Sequence, residues 1–296
     1  MSATNQPLAT PTVWTVRALV NWTTTFLANK GIEFPQKEAR ILLGHVMDCK
    51  PIDVIARYDD EPTDHERTQF KDLIKRRVNG WPVAYLTGQR EFYLLSFDVT
   101  PAVLIPRPDT EQLVMQALDV LKGQPAPRIL DLGTGSGCIA VSLAHQCKTA
   151  TVTAVDVSPD ALEVAKRNAV KHGVTARVNF IVGDLFNPLA ADSTFDLIVS
   201  NPPYVTPTEI TELAPDVRDH EPRIALDGGP DGLAFYRRIT MDAAKYLSPG
   251  GRVMVEIGWT QEPAVRALFE ARSEFTDVKS MKDLGNRWRV VTAKKA

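Results

Sequence analysis

Apolar residues recur at helical spacing through residues 12–86 of the chain. They form three stripes, and each stripe predicts an amphipathic helix. The first stripe ends near Gly31 and the second begins at Pro35. The third begins near Thr63, where Glu66 three residues later completes the pattern of a capping box. This part of the chain is therefore predicted to be a small helical bundle domain.

The pattern changes to aromatic and β-prone residues over residues 87–106. Ser96 and Pro101 interrupt the run, which predicts a β-hairpin that links two domains. A proline-containing stretch then leads into another amphipathic helix. Asp109 or Thr110 is expected to cap the start of this helix.

From residue 107 to residue 296, predicted strands alternate with predicted helices. This alternation is typical of a doubly wound α/β sheet, whose ligands bind beyond the carboxyl ends of the strands. The polar residues 1–11 are expected to be a loose tail in front of both domains. The predicted strands cover residues 129–130, 151–155, 178–182, 195–200, 252–257 and 288–292.

Composition narrows the class of protein without naming a function. The 296 residues carry 34 Lys and Arg against 36 Asp and Glu, and a net charge of −2 gives no strong overall field for nucleic acid. The three cysteines lack a CxxC spacing, which favours a reducing cytoplasm and disfavours a zinc site. His45 and Cys49 are four residues apart but have no second ligand pair, so we expect them to pack in the core. No apolar stretch reaches the length of a membrane-spanning helix.

The run Asp131-Leu132-Gly133-Thr134-Gly135-Ser136-Gly137 follows the first predicted strand of the sheet and opens a helix. Glycines let the backbone turn tightly and approach a ligand closely. A dinucleotide fingerprint would require its third glycine where Cys138 stands, which weakens a nicotinamide or flavin assignment. A phosphate-binding loop is also disfavoured, because no Gly-Lys-Ser/Thr follows.

Acidic residues end the next two predicted strands. Asp156 ends the second strand, where a carboxylate can accept hydrogen bonds from both hydroxyls of a ribose. Asp184 follows the third strand and is expected to accept the exocyclic amine of an adenine, with Phe186 packed against the ring. Together with the glycine loop, these acids predict a nucleoside ligand without a pyrophosphate. The set resembles the S-adenosylmethionine site of the seven-stranded class I methyltransferases.

The run Ser200-Asn201-Pro202-Pro203-Tyr204 follows the fourth strand and must end it, because proline cannot continue the hydrogen-bond ladder. Taken alone, the run is an ordinary turn. Beside a methyl-donor site, the Asn201 carboxamide oxygen and the Pro202 carbonyl can accept the N–H groups of a planar nitrogen, on which Tyr204 stacks. In-line transfer then depends on orientation and charge placement. The nitrogen can belong to a nucleic-acid base or to a glutamine side chain.

Four strings carry a closer resemblance: IPRPDTE at residues 105–111, DLGTGSG at 131–137, SNPPY at 200–204 and LDGGPDGL at 226–233. Over residues 12–292 the chain resembles the bacterial peptide chain release factor glutamine methyltransferases. The resemblance implies N5-methylation of the glutamine in the Gly-Gly-Gln loop of class 1 release factors. S-adenosylmethionine is then the donor and S-adenosylhomocysteine the product.

The resemblance also implies roles for individual residues. The cofactor would be bound by Gly133, Thr134, Gly135, Ser136, Gly137, Asp156, Asp184, Phe186 and Asn201. The glutamine amide would be held by Asn201, Pro202, Pro203 and Tyr204. Arg107 and Thr110 would lie near the methionine end of the donor; helix capping and a surface cation are their alternative roles. For Glu256 and Trp259, at the end of a predicted strand, we expect a structural place in the core or at the rim.

The front domain at residues 12–86 is expected to dock the release factor. The basic run at residues 75–77 would either meet an acidic partner surface or form a solvated helix face. A cytoplasmic monomer with no membrane and no direct nucleic-acid contact is expected. Three alternatives remain: a glutamine methyltransferase for a ribosomal large-subunit protein, a nucleic-acid amino-methyltransferase, and a binding module without catalysis.

Overall fold

The computed structural model describes residues 13–296, and the predicted tail at residues 1–11 lies outside them. The chain divides into two compact units. The first is the chain up to Gly88 together with Pro215–His220, and the second is Gln89–Ala214 together with Glu221–Ala296. Among the residues described, no helix is long and apolar enough to span a bilayer.

Twelve α-helices and nine strands are assigned within the described residues. The helices are α1 (Val16–Asn29), α2 (Pro35–Val46), α3 (Asp53–Ala56), α4 (Asp64–Val78), α5 (Val83–Thr87), α6 (Thr110–Leu121), α7 (Cys138–Gln146), α8 (Pro159–Lys171), α9 (Pro207–Glu212), α10 (Pro215–His220), α11 (Ala234–Tyr246) and α12 (Glu262–Glu270). The strands are β1 (Gln89–Phe92), β2 (Leu95–Asp98), β3 (Arg128–Leu132), β4 (Thr151–Asp156), β5 (Val178–Val182), β6 (Phe195–Ser200), β7 (Leu247–Glu256), β8 (Phe275–Lys282) and β9 (Trp288–Lys295).

The first unit is the predicted helical bundle. Its apolar stripes form one core, which includes the fully buried Val20, Leu27 and Leu42. The capping box at the start of α4 is confirmed: the Thr63 hydroxyl accepts from the Glu66 backbone N–H at 3.2 Å, and the Glu66 carboxylate accepts from the Thr63 backbone N–H at 2.7 Å. Local spacing was sufficient here, because capping and amphipathicity act within one or two helical turns.

The predicted hairpin is present but shorter than expected. Strands β1 and β2 pair in antiparallel register around a turn in which Tyr93 and Leu94 both have positive φ. Beyond Asp98 the chain leaves the strand conformation and continues without regular structure to α6. Pro101 and Pro106 lie in this stretch, and proline supplies no N–H for a ladder.

The second unit contains a seven-stranded sheet in the order β5-β4-β3-β6-β7-β9-β8. The strands from β5 to β7 are parallel, and β9 pairs antiparallel with both β7 and β8. The predicted α/β class is therefore confirmed. Strand β8 was not predicted, because it is a mostly polar edge strand whose side chains are largely exposed.

The parallel register aligns the carboxyl ends of the four central strands in one row. This row consists of Val155 on β4, Leu132 on β3, Ser200 on β6 and Val255 on β7. The next residue of each strand therefore lies at the same edge of the sheet: Asp156, Gly133, Asn201 and Glu256. Three of these four were predicted as site residues, and Glu256 was not.

Candidate active site

The glycine loop turns directly after β3. Gly133 and Gly135 have φ of 70° and 54°, a backbone conformation that residues other than glycine rarely adopt. A Cβ at either position would meet no atom within 4 Å, so the loop faces open space there. Thr134 and Ser136 are almost completely buried, and the Thr134 hydroxyl donates to Asp131 at 2.6 Å. Any ligand of this loop would thus meet its backbone.

Gly137 ends the loop and has a different role from the other two glycines. A Cβ at Gly137 would lie 3.0 Å from the Ala165 Cβ, so this glycine lets α7 and α8 pack closely. The loop is held to the sheet because the Gly133 N–H donates to the Val155 carbonyl at 2.8 Å.

Asp156 organises the same loop. One carboxylate oxygen accepts from the Gly135 N–H at 2.8 Å and the other from the Ser158 N–H at 2.9 Å. Burial raises the pKa of Asp156, and these backbone hydrogen bonds oppose the rise. A carboxylate oxygen can accept a second hydrogen bond, so the ribose contact stays a prediction.

The two residues predicted to contact adenine have partners within the protein. The Arg238 guanidinium donates to the Asp184 carboxylate at 2.6 Å. Phe186 is 4% exposed, and its ring stacks on Tyr246 with centroids 5.0 Å apart and planes at 10°. Phe186 thus belongs to the core, and its geometry favours a supporting role over stacking on a ligand. This placement depends on Tyr246, 60 positions later in the sequence, which local pattern could not reveal.

The SNPPY run forms the loop after β6. The Ser200 hydroxyl is buried and donates to the Leu132 carbonyl at 2.8 Å, which ties the loop to the end of β3. Pro202 is buried, and Asn201 and Tyr204 are half-buried. Burial raises the pKa of Tyr204 to about 12, and the nearby Glu256 carboxylate adds to the rise. The phenol is therefore neutral at physiological pH.

The LDGGPDGL run packs against this loop. The Val205 N–H donates to the Leu226 carbonyl at 2.9 Å, and the Gly228 N–H donates to the Val205 carbonyl at 2.8 Å. A Cβ at Gly228 would lie 2.6 Å from the Tyr204 Cα, and a Cβ at Gly232 would lie 2.4 Å from the Tyr204 carbonyl oxygen. Both glycines are therefore needed for this close approach.

Gln261 joins three segments around Tyr204, and no motif or spacing in the sequence singles it out. Its side-chain amide donates to the Tyr204 carbonyl at 3.0 Å and to the Gly232 carbonyl at 3.3 Å. Its side-chain oxygen accepts from the Gly258 N–H at 3.1 Å. One side chain thereby links the SNPPY loop, the LDGGPDGL run and the segment after β7.

Asn201, Thr110 and Glu256 form a buried polar cluster. The Asn201 side-chain amide donates to the Thr110 hydroxyl oxygen at 3.1 Å. Glu256 is 1% exposed, and burial raises its pKa to about 7 although hydrogen bonds from Thr110 and Asn201 lower it. Its Oε2 atom has no hydrogen-bond partner among the residues described. Glu256 was expected in the core or at the rim, and it is buried, but its place beside Asn201 was not predicted.

Three neighbouring expectations have definite outcomes. Asp109 stands at the N-cap position of α6, but its side chain makes no capping hydrogen bond and pairs instead with Arg289 at 3.0 Å. Thr110 is the first residue of α6 and contacts Asn201. Arg107 pairs with the Glu221 carboxylate at 2.5 Å, so it is not a free surface cation.

The remaining candidates lie outside this cluster. Trp259 is exposed, as expected for a rim position. In the helical unit, each residue of the basic run has a partner: Lys75 pairs with Asp72, Arg76 lies over the Trp81 ring, and the half-buried Arg77 pairs with Glu38 at 2.6 Å. Within residues 13–296, no group of histidine, cysteine and acidic side chains could hold a metal ion.

Comparison with known proteins identifies the family of this chain. Residues 18–88 match the family model described as the PrmC N-terminal domain, and residues 109–216 match the methyltransferase small domain. A release factor glutamine methyltransferase of Rhodopirellula baltica is 42% identical over 96% of this chain and 98% of its own. A protein of the same name from Geobacter sulfurreducens is 44% identical over 95% and 97%.

A solved structure supports the fold independently. A methyltransferase from Pyrococcus furiosus superposes with a TM-score of 0.50 at 18% identity, over 76% of this chain and 99% of its own. This likeness concerns the fold alone. The two relatives, which match over nearly the full length of both chains, show the family: this chain belongs to the release factor glutamine methyltransferases.

Proposed function

We propose that this chain transfers the methyl group of S-adenosylmethionine to the side-chain amide nitrogen of the glutamine in the Gly-Gly-Gln loop of class 1 peptide chain release factors. The observation that carries the proposal is the relation to release factor glutamine methyltransferases over nearly the full length of both chains. The arrangement of the site at the carboxyl edge of the sheet supports it and suggests what each residue does.

The residues of the glycine loop fit the donor. The open space over Gly133 and Gly135 admits a ligand close to the backbone, and Asp156 stands where it can accept ribose hydroxyls. Asp184 keeps an oxygen for an adenine amine beside its Arg238 pair. The donor supplies an electrophilic methyl group: its C–S bond breaks as the N–C bond forms, and the amide nitrogen releases one proton to water.

The SNPPY loop supplies the acceptor half of the site. An amide nitrogen is a poor nucleophile because its lone pair is delocalised, so its orientation limits the reaction. The Asn201 carboxamide oxygen and the Pro202 carbonyl accept the N–H groups of the glutamine and aim the lone pair at the methyl group. The neutral Tyr204 ring covers the planar amide. Thr110 contacts Asn201, and Arg107 is proposed to lie near the methionine end of the donor.

Incubation with labelled S-adenosylmethionine and purified release factor tests the proposal. Mass analysis of the tryptic Gly-Gly-Gln peptide should show one added methyl group on the glutamine. Asn201→Ala should abolish the transfer. Asn179→Ala is the matched control, because Asn179 is exposed near the start of β5 and should leave the transfer unchanged. An unlabelled peptide with folded wild-type protein would contradict the proposal.

Two alternative substrates are outcomes of the same experiment. Intact ribosomes would be labelled instead if the acceptor were a glutamine of a ribosomal large-subunit protein. Labelled DNA or RNA would indicate an amino-methyltransferase for bases, although the net charge of −2 offers no general attraction to a phosphate backbone.

The helical unit is proposed to dock the release factor. The basic run at residues 75–77 gives this role little support, since each of its side chains has a partner within the unit. Of these three pairs, the one between Lys75 and Asp72 is the most exposed to solvent. Lys75→Glu should therefore raise the KM for release factor by no more than about threefold, which steady-state kinetics would measure.

A further inference from the structure

Asn201 can act on an amide only in one of its two orientations. A carboxamide carries an acceptor oxygen on one side and a donor NH₂ on the other. Only the oxygen can accept the N–H of a substrate glutamine, whereas the NH₂ would repel it. Rotation of the Asn201 amide by half a turn would therefore inactivate the site without moving the backbone. Something in the protein must select the productive orientation.

The buried cluster behind Asn201 makes this selection. The Nδ2 atom of Asn201 donates to the Thr110 hydroxyl oxygen at 3.1 Å. Glu256 follows Val255, the register partner of Ser200, so Glu256 and Asn201 leave neighbouring strands side by side, and Thr110 and Asn201 act as hydrogen-bond donors that lower the pKa of the Glu256 carboxyl group. An ionised carboxylate only accepts, so the Thr110 hydroxyl must give its proton to Glu256 and keep its oxygen for Asn201. The Nδ2 atom of Asn201 is then held on the side of Thr110, and its Oδ1 atom remains for the substrate.

We propose that Glu256 is a positioning residue that fixes the Asn201 carboxamide through Thr110, with the carboxamide oxygen facing the substrate amide. The inference rests on the proposed function and deepens it. Glu256 and Thr110 are 1% and 2% exposed, so water cannot replace either partner. The two residues lie on separate elements, β7 and α6, and meet at the loop that follows β6.

The protonation state of Glu256 makes the selection depend on pH. Burial raises the pKa of its carboxyl group to about 7. Once protonated, the carboxyl group carries an O–H that can donate to the Thr110 hydroxyl oxygen. Thr110 then no longer has to keep this oxygen for the Asn201 amide, and the orientation of the amide is no longer fixed. The ionised form is productive, so we expect kcat to rise as pH rises through about 7. The titratable groups around it are Asp109 on the turn before α6, Arg289 on β9, Tyr204 after β6, Tyr236 on α11 and Cys138 on α7.

Kinetics on the full chain with release factor test this role. Glu256→Leu and Thr110→Val should each lower kcat at least about tenfold, with the KM for the donor changed less than about threefold. The double variant should be no worse than the poorer single variant, because both break one chain of hydrogen bonds. Thr110→Ser should restore activity. Glu256→Gln keeps an acceptor oxygen without titrating, so its kcat should lose the rise with pH.

A second measurement needs no substrate and separates this inference from the proposed function. In protein labelled at asparagine, the side-chain NH₂ signals of Asn201 should exchange slowly and shift as Glu256 titrates. Glu256→Gln should abolish the shift. Glu262→Gln is the matched control, because Glu262 is also buried but pairs with Ser280, and it should change neither the signals nor the pH profile.

The two proposals can fail separately. Slow, titrating Asn201 signals in a protein that leaves release factor unlabelled would support the positioning role and refute the substrate. Normal labelling by Glu256→Leu, or Asn201 signals that ignore pH and the Glu256 substitutions, would overturn the positioning role alone. Thermal unfolding of each variant shows whether it is folded. If Glu256→Leu is not folded, Glu256→Gln replaces it in these tests.

Discussion

Replacing Gly228 by alanine should displace the SNPPY loop. The new Cβ would lie 2.6 Å from the Tyr204 Cα and 2.9 Å from the Pro203 carbonyl oxygen, both of which are backbone atoms. An ordinary contact at this position requires 3.4–4 Å, so the overlap is about 1 Å and no flexible side chain can relieve it. Gly228 is not in the left-handed region, so the substitution adds no backbone strain of its own.

The expected loss follows from the displacement. A shift of about 1 Å between reacting groups costs about 100-fold in rate, so kcat with release factor should fall by about that factor. Overpacking should lower the free energy of unfolding by about 1–3 kcal/mol. The affinity for S-adenosylmethionine, measured by calorimetry, should change little because the atoms nearest to the new Cβ belong to Tyr204 and Pro203 and not to the glycine loop.

Gly285→Ala is the matched control for this substitution. Gly285 is also outside the left-handed region, but its Cβ would meet only the Asp283 side chain, at 3.2 Å. Its kcat and unfolding should match those of the wild type. A Gly228→Ala protein that methylates release factor at the wild-type rate would refute the argument that the LDGGPDGL run positions the SNPPY loop.

Three further predictions follow from other contacts. Gln261→Leu removes the donor to the Tyr204 carbonyl, so it should lower the free energy of unfolding by about 1–3 kcal/mol and lower kcat; unchanged values for both would contradict the role of Gln261 as a link. Phe186→Ala should lower the free energy of unfolding in denaturant by about 3–5 kcal/mol, because it empties a core site beside Tyr246. Phe186→Leu should keep the affinity for the donor within a few-fold of the wild type. If Phe186→Leu instead loses much affinity at normal stability, Phe186 contacts the donor. Burial raises the pKa of Glu256 in the folded protein to about 7, above its usual value of 4.5, so the folded state binds this proton more tightly than the unfolded state does. The free energy of unfolding of the wild type should therefore fall as pH rises between these two values, and Glu256→Gln should gain stability relative to the wild type from about pH 5 to about pH 8. A difference in stability that stays constant with pH would refute the raised pKa.

Much of the fold followed from local pattern. The stripes that predicted α1, α2 and α4 work because a helix buries one face, and the Thr63 capping box acts within a single turn. The glycine loop, Asp156 and the SNPPY run could be assigned to one site because parallel strands end at a common edge. The hairpin was overextended, because a run of β-prone residues does not show where pairing stops.

The partners of individual side chains could not be predicted in the same way. Asp109 has the sequence position of a helix cap, yet Arg289 from β9 is its partner. Phe186 has the sequence position of a ring that stacks on adenine, yet Tyr246 from α11 covers it. In each case the partner is a residue distant in the sequence, which local pattern does not reveal.

The sequence by itself determined the order of elements, the α/β class, the glycine loop and the amide-bearing loop, because these depend on spacing and on conformations that only glycine or proline readily adopts. Only the tertiary structure decided which end of the Asn201 carboxamide faces Thr110. That depends on Thr110 and Glu256, which lie 91 positions before and 55 positions after it. Glu256 comes beside Asn201 because β6 and β7 are neighbours in parallel register, and Thr110 because α6 packs on these strands. Hydrogen-bond direction within a buried cluster is a property of three-dimensional proximity, and no local pattern encodes it.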